Sequence, residues 1–206
     1  MTGTDGTAFA PGLTFNSKVQ VWFPQTMRPE MFHVTGEAEH KGIQCLRFQL
    51  TPEMLQVDPA FNNLYTGFNN MTTLGAPVFI SKYYFLDTDT SYWHSSLLGM
   101  KLPTPVTNDT VLDVEPMTGA TMSAKKRIQL NVFLSNDTYI AANAQNMSLY
   151  YPNVRRGVMY PLALMEESAE ITNNLADEFI HQVYFVYRIQ MASIWVCLGA
   201  AGILTF

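Results

Sequence analysis

The feature that most constrains this chain lies at its C-terminal end. Residues 189–206 form an 18-residue apolar run interrupted only by Gln190, Ser193 and Thr205. As a helix rising 1.5 Å per residue, the run is about 27 Å long, close to the ~30 Å hydrocarbon core of a bilayer. Tyr184, Phe185 and Tyr187 precede it, where an interfacial aromatic belt belongs, and Arg188 is placed to snorkel toward a headgroup layer. The run reads as a membrane span; the alternative is a buried C-terminal helix, since 18 residues is the lower limit for crossing. Just upstream, Ile171, Leu175, Phe179 and Val183 recur every four residues, so from Glu170 an amphipathic helix leads into the run.

The opposite end pulls the other way. Residues 1–14 are polar and Gly-rich, without the basic and apolar regions of a secretory signal. One C-terminal span with no signal describes a tail-anchored protein with residues 1–180 in the cytosol. Yet four Asn-x-Ser/Thr sequons stand at Asn70, Asn108, Asn136 and Asn146. With 13 Asn and 30 Ser plus Thr among 206 residues, chance places about two. The excess favours a lumenal or extracellular domain carrying glycans at those four positions.

A chain of 206 residues is long enough for one domain with its own core. Only 14% of residues are charged against 48% hydrophobic, which excludes a disordered chain and suggests that some surface is not meant for water. The net charge is −5, and the longest like-charge run is Lys125-Lys126-Arg127. A nucleic-acid binder needs a basic stripe, so that class is excluded. Cys45 and Cys197 are too few for a disulfide framework, lack metal-ligand spacing, and read as two buried free thiols.

Between the ends the pattern is mostly that of antiparallel strands. Residues 19–23 read as a strand, and His40-Lys41-Gly42 as a turn. In 43–50, Leu46, Phe48 and Leu50 share one face, with Ile43, Cys45, Arg47 and Gln49 on the other. Thr51-Pro52-Glu53 is a helix-start signal. Residues 77–81 and 111–115 read as further strands, the second closed by a turn at Pro116-Met117-Thr118-Gly119. The clearest alternation is in 127–134: Ile128, Leu130, Val132 and Leu134 face one way, Arg127, Gln129 and Asn131 the other, with Phe133 the exception. That describes a half-buried strand. Residues 158–165 form an apolar strand in which Pro161 marks an edge or a bulge. The expected fold class is α+β, mainly antiparallel β with short helices, plus a C-terminal transmembrane helix. Its boundaries are a β-rich domain over 1–182 and a span over 183–206.

No catalytic constellation emerges. His33, His40, His94 and His181 are scattered, and neither HExxH nor GxSxG occurs. Asp87 with Asp89, and Asp113 with Glu115, read as solvated or turn-capping acids. Gly3-Thr4-Asp5-Gly6 reads as a turn, not a phosphate loop, because no Lys or helix follows. Neither a metal nor a cofactor is expected, and no enzyme activity. Twelve methionines suit an irregular core or an adaptable apolar cavity.

Residues 3–11 (GTDGTAFAP), 75–81 (GAPVFIS), 112–119 (LDVEPMTG) and 124–132 (AKKRIQLNV) resemble, in order and spacing, the CD36 family of scavenger receptors class B and lysosomal integral membrane protein 2. The stretch 161–171 (PLALMEESAEI), with the helix and apolar run after it, also fits that family's C-terminal end. The resemblance implies a lumenal or extracellular antiparallel β-barrel held between two membrane spans. Such a barrel is threaded by an apolar tunnel, with a helical apex that receives ligands. It implies that this chain corresponds to roughly the second half, without the N-terminal span and most of the apex. The chain departs from the family where its Cys-Arg becomes Met27-Arg28 and its cysteine-rich loop becomes residues 62–70. It departs again where Pro-His-Phe becomes Tyr83-Tyr84-Phe85.

Two functions follow as expectations. The first is a receptor of the lysosomal, endosomal or plasma membrane that binds lipids or lipoproteins. In it, the face made by Ile128, Leu130, Val132 and Leu134 lines a tunnel for an acyl chain, each dry CH₂ contributing about 0.8 kcal/mol. The alternative is a transport receptor for a lysosomal hydrolase.

Overall fold

The computed structural model describes residues 3–52, 65–100, 102–134 and 155–204. Among the described residues, eight strands form one antiparallel sheet: β1 (Lys18–Phe23), β2 (Arg28–His40), β3 (Ile43–Leu50), β4 (Asn69–Asn70), β5 (Phe79–Ser81), β6 (Val111–Val114), β7 (Thr121–Leu134) and β8 (Val158–Glu170). The order is β1-β2-β3-β6-β7-β5-β4, with β8 against β7. Strand β7 organises the sheet. One of its edges takes β6 along Thr121–Lys125 and β5 along Gln129–Asn131, and β8 runs along the other from Ser123 to Leu134. A helical turn α1 (Pro105–Asn108) precedes β6. After β8 come α2 (Asn173–Phe179), a π-helical turn (Ile180–Tyr184) and α3 (Phe185–Leu204).

Local chemistry explains the hairpins. His40 pairs with Ile43, and the two residues between them, Lys41 and Gly42, have φ of +52° and +83°. Two positive φ values make the turn whose twist matches that of the flanking strands. On β3, Leu46, Phe48 and Leu50 enter the main core with Val19, Val21, Phe23, Phe32, Leu112 and Val114. Ile43 and Cys45 point the other way and are covered by Ala176 of α2 and its neighbours Phe179 and Ile180. Thr172 caps α2, its side chain accepting from Leu175 N–H at 3.4 Å. Pro161 sits on an edge strand, and the pairing slips there: Leu130 faces Ala163 while Asn131 faces Pro161, so Leu162 is the extra residue.

Three features depart from the sequence pattern. Strand β2 has no apolar alternation at its start because its inward residues include Arg28 and Glu30, which pair at 2.8 Å while 5% and 1% exposed. Residues 128–131 of β7 are not half-buried in the expected sense. Gln129 and Asn131, on the polar face, are fully buried. Gln129 Oε1 accepts from Tyr84 N–H at 2.9 Å, and Asn131 Nδ2 donates to Ser81 Oγ at 2.9 Å, so two polar side chains are enclosed at small cost. Cys197 is exposed on α3, whereas Cys45 is buried as expected. The helix start at Thr51-Pro52-Glu53 leads into residues 53–64, outside the described residues.

Among the described residues, no helix is long and apolar enough to cross a membrane. The first turns of α3 carry Arg188 and Gln190, and its side chains are described as far as Cys197. Along that stretch large apolar side chains are left open to solvent, among them Phe185, Val186, Ile189, Trp195 and Val196.

Candidate functional site

The N-terminal segment is laid along β1 by backbone hydrogen bonds. Thr4 N–H donates to Gln20 O at 3.1 Å, and Trp22 N–H donates to Thr4 O at 2.8 Å. Phe9 N–H donates to Gly119 O at 2.8 Å, fixing the segment to the β6–β7 turn. That turn is shaped by Glu115, whose carboxylate accepts from Met117 N–H, Thr118 N–H and Thr118 Oγ1. The segment and the sheet thereby border an open cavity of about 1010 Å³. Its walls are Gly3–Thr7, the end of β1 (Val21, Trp22, Phe23), Leu112, the first half of β7 (Thr121, Met122, Ser123, Ala124, Lys126), and Ile171, Leu175 and Phe179 at the start of the C-terminal helices. Asp5, Glu167 and Glu170 stand at its rim. A concavity whose surface is mainly apolar, with Asp5, Lys126, Glu167 and Glu170 among its lining residues, suits an amphiphile better than a polar metabolite.

The side chains singled out by the sequence are placed as follows. Ile128 is buried and packs with Met71 and Ile80, with Leu130 beside them. Val132 and Leu134 are half-buried. The large cavity takes its β7 wall from the residues before them, where Ala124 replaces the bulky side chains of the 127–134 alternation. Asn70 Oδ1 accepts from Thr72 N–H and Thr72 Oγ1, and Asn108 Oδ1 accepts from Thr104 N–H. Both asparagines are half-buried. Asn136 and Asn146 lie outside the described residues.

Behind the cavity rim lies an ion cluster that joins the sheet to the C-terminal segment. Asp113, 2% exposed, accepts from Arg47 Nε and Nη2, each at 2.8 Å, and from His40 Nε2 at 2.8 Å. His40 Nδ1 lies 3.4 Å from Glu170, and Lys41 Nζ donates to Ile171 O. Burial pushes the Asp113 carboxyl up, but the Arg47 and His40 bonds outweigh it and hold the group below its ordinary value of 3.8. The folded state therefore holds this proton less well than the unfolded chain. The group stabilises the fold above the unfolded value, and that contribution is lost as pH falls toward the lower folded one. The stability gap between the wild type and Asp113→Asn, measured by urea unfolding, is thus expected to be full at pH 6 and to shrink below about pH 3.9. A gap that is constant with pH contradicts the assignment.

Asp87 pairs with Lys82, and Asp89 caps a turn by accepting from Ser91 N–H. Burial, reinforced by Asp113 and Glu115, pushes the Cys45 thiol up to about 12, which keeps it unreactive. Among the described residues no cluster of three His, Cys, Asp or Glu is placed to hold a metal.

Known proteins resemble between two thirds and nearly all of the chain. Mouse scavenger receptor class B member 1 is 24% identical over 214 residues, covering 99% of this chain and 40% of its own. Lysosome membrane protein 2-C of Dictyostelium discoideum is 23% identical, covering 86% of this chain and 24% of its own. Sensory neuron membrane protein 1 of Antheraea polyphemus is 30% identical, covering 68% and 28%. The chain therefore spans between a quarter and two-fifths of the length of these relatives. The sequence profile of the CD36 family matches residues 1–206, the same span that carries the N-terminal segment, the sheet and the cavity between them, and the chain belongs to the CD36 family.

Proposed function

We propose that the protein is part of a membrane receptor that binds lipid, and that the cavity behind the N-terminal segment takes the apolar tail. The observation that carries this reading is the cavity itself: about 1010 Å³ walled by Val21, Phe23, Met122, Leu175 and their neighbours in a chain of the CD36 family. A ligand tail there leaves water for an apolar wall, at about 0.8 kcal/mol per CH₂. The relatives are named as a scavenger receptor, a lysosome membrane protein and a sensory neuron membrane protein, which supports a receptor in a lysosomal, endosomal or plasma membrane. Lipids or lipoproteins are the proposed ligands. A lysosomal hydrolase as cargo finds no support in those names. In this reading Ile128, Leu130, Val132 and Leu134 continue the cavity wall along β7 toward a tunnel.

The same reading divides the chain into a lumenal or extracellular domain over 1–182 and a membrane segment over 183–206. The apolar side chains exposed on α3 support the second part. Resistance of the protein to carbonate extraction tests it, and a gel shift on glycosidase treatment tests the glycans proposed at Asn70, Asn108, Asn136 and Asn146. A carbonate-soluble, unshifted protein contradicts this topology.

Filling the cavity tests its role. Ala124 lines it and is only half-buried. Ala124→Phe is expected to weaken binding of a fluorescent fatty acid by tenfold or more while the melting temperature moves by only a few degrees. Unchanged binding with an unchanged melt removes the cavity as the lipid site.

A further inference from the structure

We propose that Asn108 receives its glycan only before β6 pairs with β7, so that folding and modification compete for one threonine. This rests on the reading of residues 1–182 as a lumenal or extracellular domain. A sequon is recognised through the hydroxyl two residues after the asparagine, so that hydroxyl has to be within reach when the glycan is added. In the sequon Asn108-Asp109-Thr110 the fold hides it. Thr110 is 1% exposed, and its Oγ1 donates to Arg127 O at 3.1 Å and accepts from Arg127 N–H at 3.0 Å. The hydroxyl is thus bonded to the backbone of β7 immediately ahead of β6. The middle residue is held as firmly. Asp109 is 4% exposed, its carboxylate accepts from Lys82 Nζ at 2.9 Å, and its carbonyl accepts from Arg127 Nη1 at 3.2 Å. Asn108 is half-buried at the end of α1, its Oδ1 accepting from Thr104 N–H at 2.8 Å. Drawing Thr110 out therefore means parting β6 from β7 and Asp109 from Lys82, a larger opening than the fraying of a loop.

Asn70 is built differently. Thr72 is exposed, and its Oγ1 donates to Asn70 Oδ1 at 2.7 Å, so that hydroxyl lies at the surface on the sequon itself. Folding leaves it within reach. The order of synthesis sets the interval open to Asn108. Arg127 follows Thr110 by 17 residues, so at about 5–20 residues per second Thr110 has no β7 partner for roughly 1–3 s after it is made. Once both strands exist, a hairpin closes in about 1–10 μs. Modification at Asn108 belongs to that interval, or to chains in which the β6–β7 hairpin has opened again.

The test takes the full-length protein made without glycans, folded in detergent, and incubates it with a purified oligosaccharyltransferase and its lipid-linked donor. Peptide mass spectrometry reads the occupancy of Asn108 and Asn70, and a synthetic peptide of residues 103–115 is the unfolded reference. The peptide and Asn70 of the folded protein are expected to be modified, and Asn108 of the folded wild type at least tenfold less than the peptide. Lys82→Met, which frees Asp109, and Gly119→Ala, which crowds the β6–β7 turn, are expected to raise Asn108 occupancy severalfold and to leave Asn70 within twofold. Asn108 modified in the folded wild type as readily as in the peptide overturns the proposal. A peptide that is not modified also overturns it, because the sequence and not the fold then excludes the glycan. Asn70 as refractory as Asn108 does the same, because exposure of the threonine then decides nothing. Protein from cells that carries no glycan at any sequon would remove the lumenal reading, and the purified reaction decides the competition at Asn108 separately.

Discussion

Lys82→Met is expected to lower the unfolding free energy by about 3–5 kcal/mol, the range for breaking a buried ion pair from one side. Lys82 is 2% exposed. Its ammonium donates to Asp109 at 2.9 Å, to Asp87 at 2.7 Å and to Leu50 O at 3.3 Å, so one side chain ties the end of β3 to the segments before β6 and after β5. Burial raises the Asp109 carboxyl above its ordinary value even with Lys82 beside it. Without the lysine that carboxylate has lost its main counter-charge and must take up a proton or unfold the site. Asp87→Asn is the control, because Asp87 is 32% exposed and water replaces part of what is lost. Thermal and urea unfolding of the protein in detergent should show the lysine variant far below the aspartate variant. Equal losses contradict the buried-pair account.

The second large effect is expected at Gly119. Its φ is +78°, in the left-handed region, and a Cβ built there would lie 2.3 Å from Phe9 O and 2.9 Å from Ala10 O. Both contacts are backbone, so no side chain can turn aside. Gly119→Ala therefore forces the N-terminal segment off the β6–β7 turn and breaks the Phe9–Gly119 hydrogen bond. A loss on the order of 3 kcal/mol or more follows from the clash added to the ordinary cost of a left-handed alanine. Gly12 separates the two contributions. Its φ is +81° with nothing within 4 Å of a new Cβ, so Gly12→Ala should cost only the conformational part, about 1–2 kcal/mol. Because the N-terminal segment is a wall of the cavity, Gly119→Ala should also weaken lipid binding, and Gly12→Ala should not. If the two alanine variants unfold alike, the close approach of Phe9 to the turn is not what Gly119 serves.

How much of this was legible in the sequence follows from the range over which each feature is encoded. The hairpin at His40–Ile43 and the alternation of 43–50 are written in neighbouring residues, and both formed where expected. Pro161 announced an edge or a bulge, because a residue without an N–H has few other places in a sheet, and the structure has both there. Strand β2 was missed because Arg28 and Glu30 satisfy each other inside the protein, and their pairing leaves no apolar period to read. Gln129 and Asn131 read as a solvent face for the same reason: Tyr84 and Ser81, which satisfy them, lie about 50 residues away in sequence. The cavity has no local signature at all. Its walls come from residues 3–7, 21–25, 121–126 and 167–179, and only the fold brings them together. Lys126 was one member of a short basic run, and nothing in Lys125-Lys126-Arg127 tells which lysine faces inward. The turn between β6 and β7 was legible as a turn, whereas its contact with Phe9 was not, because that contact joins segments more than a hundred residues apart.

The account rests most on the cavity being the place where lipid binds. A photoactivatable fatty acid carrying the reactive group on its tail, added to the full-length protein in membranes and mapped by peptide mass spectrometry, tests this directly. The account predicts labels on residues 21–25 of β1 and its turn and on 121–126 of β7, reduced by Ala124→Phe and by excess unlabelled oleate. Labels confined to residues 185–204, unaffected by Ala124→Phe, would show that lipid meets this protein only along α3 and contradict the account.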